Sequence, residues 1–365
     1  MKISKTETYF FTLLKISVGQ QAGIDCVLSD SEWNEIYAIA KKQALLGIIF
    51  DAISLMPKEK RPPFELLMKW VGDIQKIENA NRWMNSQTTR VYSKFASEGF
   101  KPVILKGQGN ALWYTNPLHR QPGDIDIWLD GGRNNIMNYV RRFLPHAKAR
   151  YHHVDFPVIK NTEIEIHFTP SWLSSFCKNK KLQQCFVKWH EESCLNSVKL
   201  PDCEDEICVP SDNMNRVYLL LHIYRHFFDE GIGLRQVLDY YLLLKRGVTA
   251  KERGSCESKL KELGLLDFSA ALMYVLQEIF GMESEYMLVN PDPKKGVFLL
   301  QEILKSGTFG IYNKNIVERE NKSIQFYWSK LRYKIRFISQ YPAEVFWGII
   351  FWIWQYVWRK IKRYA

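Results

Sequence analysis

Apolar and polar positions along the chain fall into three regimes. Over residues 1–95 the apolar residues recur at helical spacing. Ser29 and Glu32 have capping-box spacing ahead of a long segment from Trp33 to Leu55. Met56-Pro57 and Arg61-Pro62-Pro63 break that pattern. A second helix is expected from Phe64 to about Glu98, with Gly99 as its stop. The period then shortens. Pro102-Val103-Ile104-Leu105 reads as a short strand ending at Lys106-Gly107, and Gly107 to Tyr114 as a turn and a short helix. Asn116-Pro117 and Gln121-Pro122-Gly123 bracket a loop. From Asp124 to Asp130 the alternation is strict: Asp124, Asp126, Trp128 and Asp130 face one way, Ile125, Ile127 and Leu129 the other. Gly131-Gly132 ends that strand, and a helix follows to about Phe143.

Val154–Ile159 and Thr162–Phe168 read as a hairpin across Lys160-Asn161. In its second strand Glu163, Glu165 and His167 share a face. From Pro210 the chain is helical again. Asp212 caps a helix to about Phe228, with Val217, Leu220, Leu221, Tyr224 and Phe228 on an apolar stripe. Asn215, Tyr218, His222, Arg225, His226 and Asp229 form a polar one. Leu234 to Lys245 resumes after Gly231 and Gly233. Helices, then mixed strands, then helices predict an α+β fold. Its segments are a helical region at 1–98, a mixed-sheet core at 99–208, a helical domain at 209–320 and a basic aromatic tail at 321–365.

The chain has 365 residues, 46% hydrophobic and 24% charged, which excludes disorder over most of its length. The net charge of +11 is unevenly placed. Lys322 to Ala365 holds nine Lys/Arg and one acid, a net +8, which leaves +3 on the rest. A near-neutral body argues against a long nucleic-acid footprint, which needs clustered Lys/Arg. The seven cysteines include no CxxC pair, so reduced thiols in a cytoplasm are expected. The apolar stretch Tyr9–Leu14 is broken by Thr12 and followed by Lys15, unlike a secretion signal. Val345–Trp358 is apolar apart from Gln355 but shorter than the roughly 20 residues of a membrane span. Followed by Arg359, Lys360, Lys362 and Arg363, it suits either an interfacial helix, giving residues 344–365 peripheral contact with the inner membrane surface, or a helix packed on the body.

Asp124 and Asp126 stand two apart on one strand, so both carboxylates point to one side and can hold a divalent cation. Mg2+ takes one or two carboxylates, waters and substrate phosphates. A third carboxylate from a neighbouring strand would complete a two-metal clamp. Glu165 and Glu163 both face the right way, and spacing does not choose between them. Upstream, Gly107 and Gly109 let backbone N–H groups approach a triphosphate. Arg120 either contacts phosphate or orders the loop before Asp124. His222 and His226 have zinc-ligand spacing but no third ligand in view, and Arg235 with Asp239 has the spacing of a helix salt bridge.

The order of these motifs resembles the DNA polymerase β-type nucleotidyltransferase superfamily, and within it the uncharacterised nucleotidyltransferase branch. The resemblance rests on Ile104-Leu105-Lys106-Gly107, on Arg120-Gln121-Pro122-Gly123-Asp124-Ile125-Asp126 and on Glu165-Ile166-His167-Phe168. His222-x-x-x-His226, Leu234-Arg235-x-x-x-Asp239 and Gly307-x-Phe309-Gly310 are similar to later helical motifs. The wider superfamily has a Gly-Ser pair where Gly107-Gln108 stands, so no hydroxyl is offered there. The resemblance implies transfer of a nucleoside monophosphate from an NTP to an acceptor with release of pyrophosphate, assisted by two Mg2+ ions. Asp124 and Asp126 would hold the metals and Glu165 would complete the second site. Lys106, Gly107, Gly109 and Arg120 are the candidates for the phosphates. The acceptor class stays open between a small molecule, a protein and a tRNA end. The alternative is a catalytically silent protein of the same fold whose tail docks on a membrane or partner.

Overall fold

The computed structural model describes residues 3–160, 162–307 and 324–361. Along the chain come α1 (Lys5–Ser17), α2 (Asp30–Lys42), α3 (Leu46–Leu55) and α4 (Phe64–Ser97). Next are β1 (Val103–Ile104), α5 (Gln108–Ala111), β2 (Ile125–Trp128), α6 (Gly132–Phe143), β3 (His153–Asp155) and β4 (Ile164–His167). Then follow α7 (Phe176–Ser193), β5 (Ser197–Lys199), β6 (Glu206–Cys208), α8 (Asp212–Asp229), α9 (Leu234–Lys245), α10 (Ala250–Leu263) and α11 (Leu266–Phe280). α12 (Pro293–Ser306), α13 (Ile324–Ile335) and α14 (Pro342–Ile361) complete the described chain. The fold is mixed α+β, as the patterning predicts. Phe309 and Gly310 of the last sequence motif lie outside the described residues. The chain forms two compact units: residues 1–80, 113–121 and 219–333, and residues 81–112, 122–218 and 334–365.

The first unit is helical. Ser4 with Glu7 and Ser29 with Glu32 close reciprocal capping boxes at the starts of α1 and α2. The segment from Trp33 to Leu55 is not one helix. It breaks after Lys42, where Ala44 takes a φ of 56°. The apolar period survives the break because both helices bury one face, with Trp33 and Ile36 from α2 and Ile49 and Ile53 from α3. The indole of Trp70 donates to Leu46 O at 2.9 Å, tying α4 to the start of α3. A Cβ on Gly47 would lie 2.1 Å from the carbonyl oxygen of His119, so only glycine allows α3 to approach that turn.

His119 in turn has Nδ1 2.5 Å from Asp51 and Nε2 3.1 Å from Glu78. Burial opposes its protonation, but the two carboxylates outweigh burial and raise its pKa above 6.5. The sign follows from linkage. This contribution to stability is full below 6.5 and is lost as pH rises through the higher folded value. Urea midpoints measured from pH 6 to 9 should therefore fall more steeply in the wild type than in His119→Gln. Parallel curves would remove the ion pairs from the account.

Arg120 and Asp239 also meet in this unit. Arg120 Nε donates to Asp239 Oδ1 and Nη2 to Oδ2, each at 2.8 Å, and Tyr114 adds its hydroxyl to Oδ1 at 2.6 Å. Arg235 donates from Nη1 to Gln121 O at 2.9 Å. Asp239 thus takes a distant arginine through both oxygens, which its i, i+4 spacing from Arg235 does not foretell.

The second unit carries the sheet, in the order β1-β2-β4-β3. β1 is antiparallel to β2, β2 parallel to β4, and β3 antiparallel to β4. Ile125, Ile127 and Leu129 share a core with Ile164, Ile166, Val154, Phe95, Ile136 and Val140. The β3–β4 hairpin differs from the expected two-residue turn by one register step. His153 pairs with His167 and Asp155 with Glu165, whereas a turn at Lys160-Asn161 would set Phe156 opposite Glu165. The observed register keeps Val154 opposite Ile166, inside the core, and a one-residue slip would reverse every side chain. Asn161 lies outside the described residues. Just before β3, Ala149 bridges Val154, and Arg150 N donates to His153 O at 2.8 Å.

α7 and the β5–β6 pair were not foreseen in the sequence. α7 sets Phe186 and His190 against Trp128, with ring centroids 5.9 and 4.5 Å away. All seven cysteines are free. α14 packs Phe351 on Tyr151 at 5.4 Å and Trp354 on Phe176 at 5.5 Å, so one of its faces is a body contact. No described helix is long and apolar enough to cross a membrane.

Candidate active site

Register places the acidic residues. β2 and β4 run parallel with Asp126 opposite Glu165 and Trp128 opposite His167. Residues directly opposite on paired strands share a face of the sheet. The antiparallel pairing of β3 extends both rows, adding Asp155 beside Glu165 and His153 beside His167. The isoleucines between them fill the other face. Strand alternation alone therefore separates a charged row from an apolar one.

Lys106 leaves β1 and reaches Asp126 Oδ2 at 3.0 Å. Gly107 behind it has a φ of +69°, a left-handed turn that favours glycine. Gly109 lies within α5, where a Cβ would meet Val209 Cγ1 at 2.9 Å, so its smallness serves packing. Gln108 is buried and donates to Asn81 at 3.3 Å and also to Asn85. Arg120 is engaged with Asp239, the geometry of an ordering residue for its loop.

Asp126 is almost fully buried, at 1% exposure. Its Oδ1 accepts from His167 Nε2 at 2.8 Å. The same nitrogen is 3.4 Å from Glu165 Oε2, which is 3.1 Å from His153 Nδ1. Burial opposes ionisation of Asp126, but Lys106 and His167 outweigh it and hold the carboxyl well below its usual range. Burial likewise opposes the charge on Lys106, and Asp124 and Asp126 more than compensate. His167 is pushed up to about 9, because Asp126 and Glu165 overcome its burial. Asp124 behaves in the opposite way. Burial first, then the charge of Asp126, raises its pKa, and Lys106 offsets this only in part. Negative charge at Asp124 is thus under-compensated, a condition that a cation relieves.

The predicted residues are brought together unequally. Asp126, Glu165 and His167 each offer a ligand atom within 4.8 Å of the others, so the donor set fits a cation. Asp124 precedes β2 on the same side as Asp126 but belongs to no such three-residue group among the described residues. Glu163 is exposed, while Glu165 is partly buried in the cluster. His222 and His226 meet edge to face with centroids 4.4 Å apart and likewise belong to no such group among the described residues. Sequence reasoning missed His152, His153 and Asp155. Their signal was the His-His-Val-Asp run, legible only with the correct hairpin register.

An α+β chain with acidic residues opposed on adjacent central strands, and a lysine at a glycine turn beside them, is of the nucleotidyltransferase-like class. The particular family follows from the sequence itself: the family described as uncharacterised nucleotidyltransferase matches residues 29–281, and the chain belongs to it. Among solved structures it is similar to an antigenic nucleotidyltransferase-like protein from Paracoccidioides brasiliensis, at 12% identity and a TM-score of 0.36. That likeness covers 57% of this chain and 94% of the other. No curated protein matches the chain.

Proposed function

We propose that the protein transfers a nucleoside monophosphate from an NTP to an acceptor and releases pyrophosphate. The observation that carries the reading is the pairing of Asp126 with Glu165 across parallel strands, with Asp124 two residues before Asp126. Asp124, Asp126 and Glu165 would hold Mg2+. Bound there, divalent ions stabilise charge on the attacking and leaving oxygens. Lys106 contributes a fixed positive charge beside the carboxylates. Glu165, which has the more exposed carboxylate of the opposed pair, would accept the proton of the acceptor hydroxyl. The acceptor is a small molecule, a protein or a tRNA end. The test is transfer of label from α-labelled NTPs, with Mg2+, into components of a cell extract. Label in a defined product supports the reading. No transfer and no Mg2+-dependent nucleotide binding would favour a silent scaffold of the same fold.

The exposed row of α14 supports a second, compatible reading, that this enzyme works against an anionic membrane surface. Val345, Gly348 and Phe351 are buried, whereas Phe346, Ile353, Val357 and Lys360 are exposed at i, i+7, i+11 and i+14. Arg359 and Lys360 complete an apolar face with a basic end. Vesicles containing phosphatidylserine should bind the chain several-fold better than neutral vesicles. The double substitution Ile353→Ser with Val357→Ser should remove most of that binding, and undiminished binding would reject the membrane reading.

A further inference from the structure

We propose that His152, His153 and His167, bordered by Glu165, form a nitrogen-rich site for a borderline transition-metal ion of the Zn2+ class, beside the aspartates and chemically distinct from a magnesium site. His152, His153 and His167 each present a ring nitrogen within 4.8 Å of the others. His153 Nδ1 is 2.9 Å from His152 Nε2 and 3.1 Å from Glu165 Oε2, and that oxygen is 3.4 Å from His167 Nε2. Three imidazole nitrogens, from two adjacent strands and the residue before them, therefore converge, and the Glu165 carboxylate borders two of them. Tetrahedral Zn2+ with bonds of 2.0–2.1 Å to nitrogen needs ligand atoms about 3.3 Å apart, close to the 2.9 Å between His152 and His153.

Hydrogen bonding alone serves the cluster poorly. His153 Nδ1 faces both a second imidazole nitrogen and a carboxylate oxygen, and a single N–H cannot point at both. One cation among the imidazole nitrogens serves all three histidines together. Imidazole suits zinc, whereas magnesium prefers oxygen ligands. Asp155 has the outer role expected at such a site. Its Oδ1 is 3.4 Å from His153 Nε2, on the far side of the ring from the converging Nδ1, where it orients the imidazole. His153 and His167 are 3% exposed and held by strand pairing, while His152 and Glu165 are open to solvent in part. The donors are thus largely pre-positioned and an ion can reach them. The site rests on the register of β3 against β4 and stands apart from the nucleotidyl-transfer reading, although Glu165 and His167 border both.

The test uses the untagged full chain, stripped with a chelator and titrated with Co2+. One equivalent should bind with the visible absorption of a four-coordinate nitrogen and oxygen environment, and Zn2+ should displace it. His152→Ala and His153→Ala should each weaken Co2+ binding at least about tenfold, the scale seen when even an outer partner is lost. His226→Ala should leave it unchanged. His152 is partly exposed, so its variant provides the measurement if His153→Ala does not fold. Asp124→Asn should keep the Co2+ spectrum while losing label transfer, which separates this site from the transfer reading. A wild-type chain without such absorption at millimolar Co2+, or absorption and affinity unchanged in the folded histidine variants, would overturn the proposal.

Discussion

Asp126→Asn should lower nucleotidyl transfer by about a thousandfold or more. Metal stabilisation of the developing charge is worth several kcal/mol, and each 1.36 kcal/mol is a factor of ten in rate. Asparagine keeps the shape of the side chain and one carbonyl acceptor but carries no charge. The substitution also leaves Lys106 facing a neutral group, 3.0 Å from the oxygen it had paired with, so some loss of stability accompanies it. Asp124→Asn separates the two effects. Asp124 is less buried and its carboxyl is under-compensated, so its loss should abolish transfer with little change in melting temperature. Glu163→Gln, on an exposed side chain, should leave transfer near the wild-type level. Asp126→Asn with transfer intact would remove the carboxylate pair from the reaction.

Arg120→Ala should destabilise its unit by about 3–5 kcal/mol, the cost of leaving one member of a buried pair uncompensated. The guanidinium is 4% exposed and meets Asp239 through two parallel contacts of 2.8 Å. Removing the arginine strands a carboxylate whose low pKa depends on it. Burial raises that pKa, and Arg120 is the main influence bringing it down. The double substitution Arg120→Met with Asp239→Leu should recover most of the loss, because apolar residues of similar volume replace such pairs well. Urea denaturation of the three variants decides the matter. A cost below about 1 kcal/mol for Arg120→Ala would mean that the pair behaves like an exposed one.

Much of the sheet can be read from the sequence because β2 is amphipathic at a period of two. Asp126 and Ile127 cannot exchange faces without burying charge in the core. Gly107 is legible for a similar reason, since the turn needs a positive φ. The partners are not legible. That β2 lies beside β4 rather than β3 is a matter of strand order, which no local pattern encodes, so the meeting of Asp126 with Glu165 appears only in three dimensions. The histidines were lost to a single register step. A two-residue turn at Lys160-Asn161 turns His153 and Asp155 away from Glu165, and the observed loop turns them toward it. The long first segment failed for another reason. Ala44 takes a backbone conformation that alanine seldom adopts, so nothing in its identity marks the break.

The outermost strands of the sheet matter for the chain in crowded solution. β1 has two residues and β3 three, Asp155 places a charge on β3, and the backbone at Ala149 and Arg150 already occupies part of its free side. Long, flat, uncovered strand edges recruit other chains into aggregates. The two ends of this four-stranded sheet therefore offer little template for continued backbone pairing with another chain.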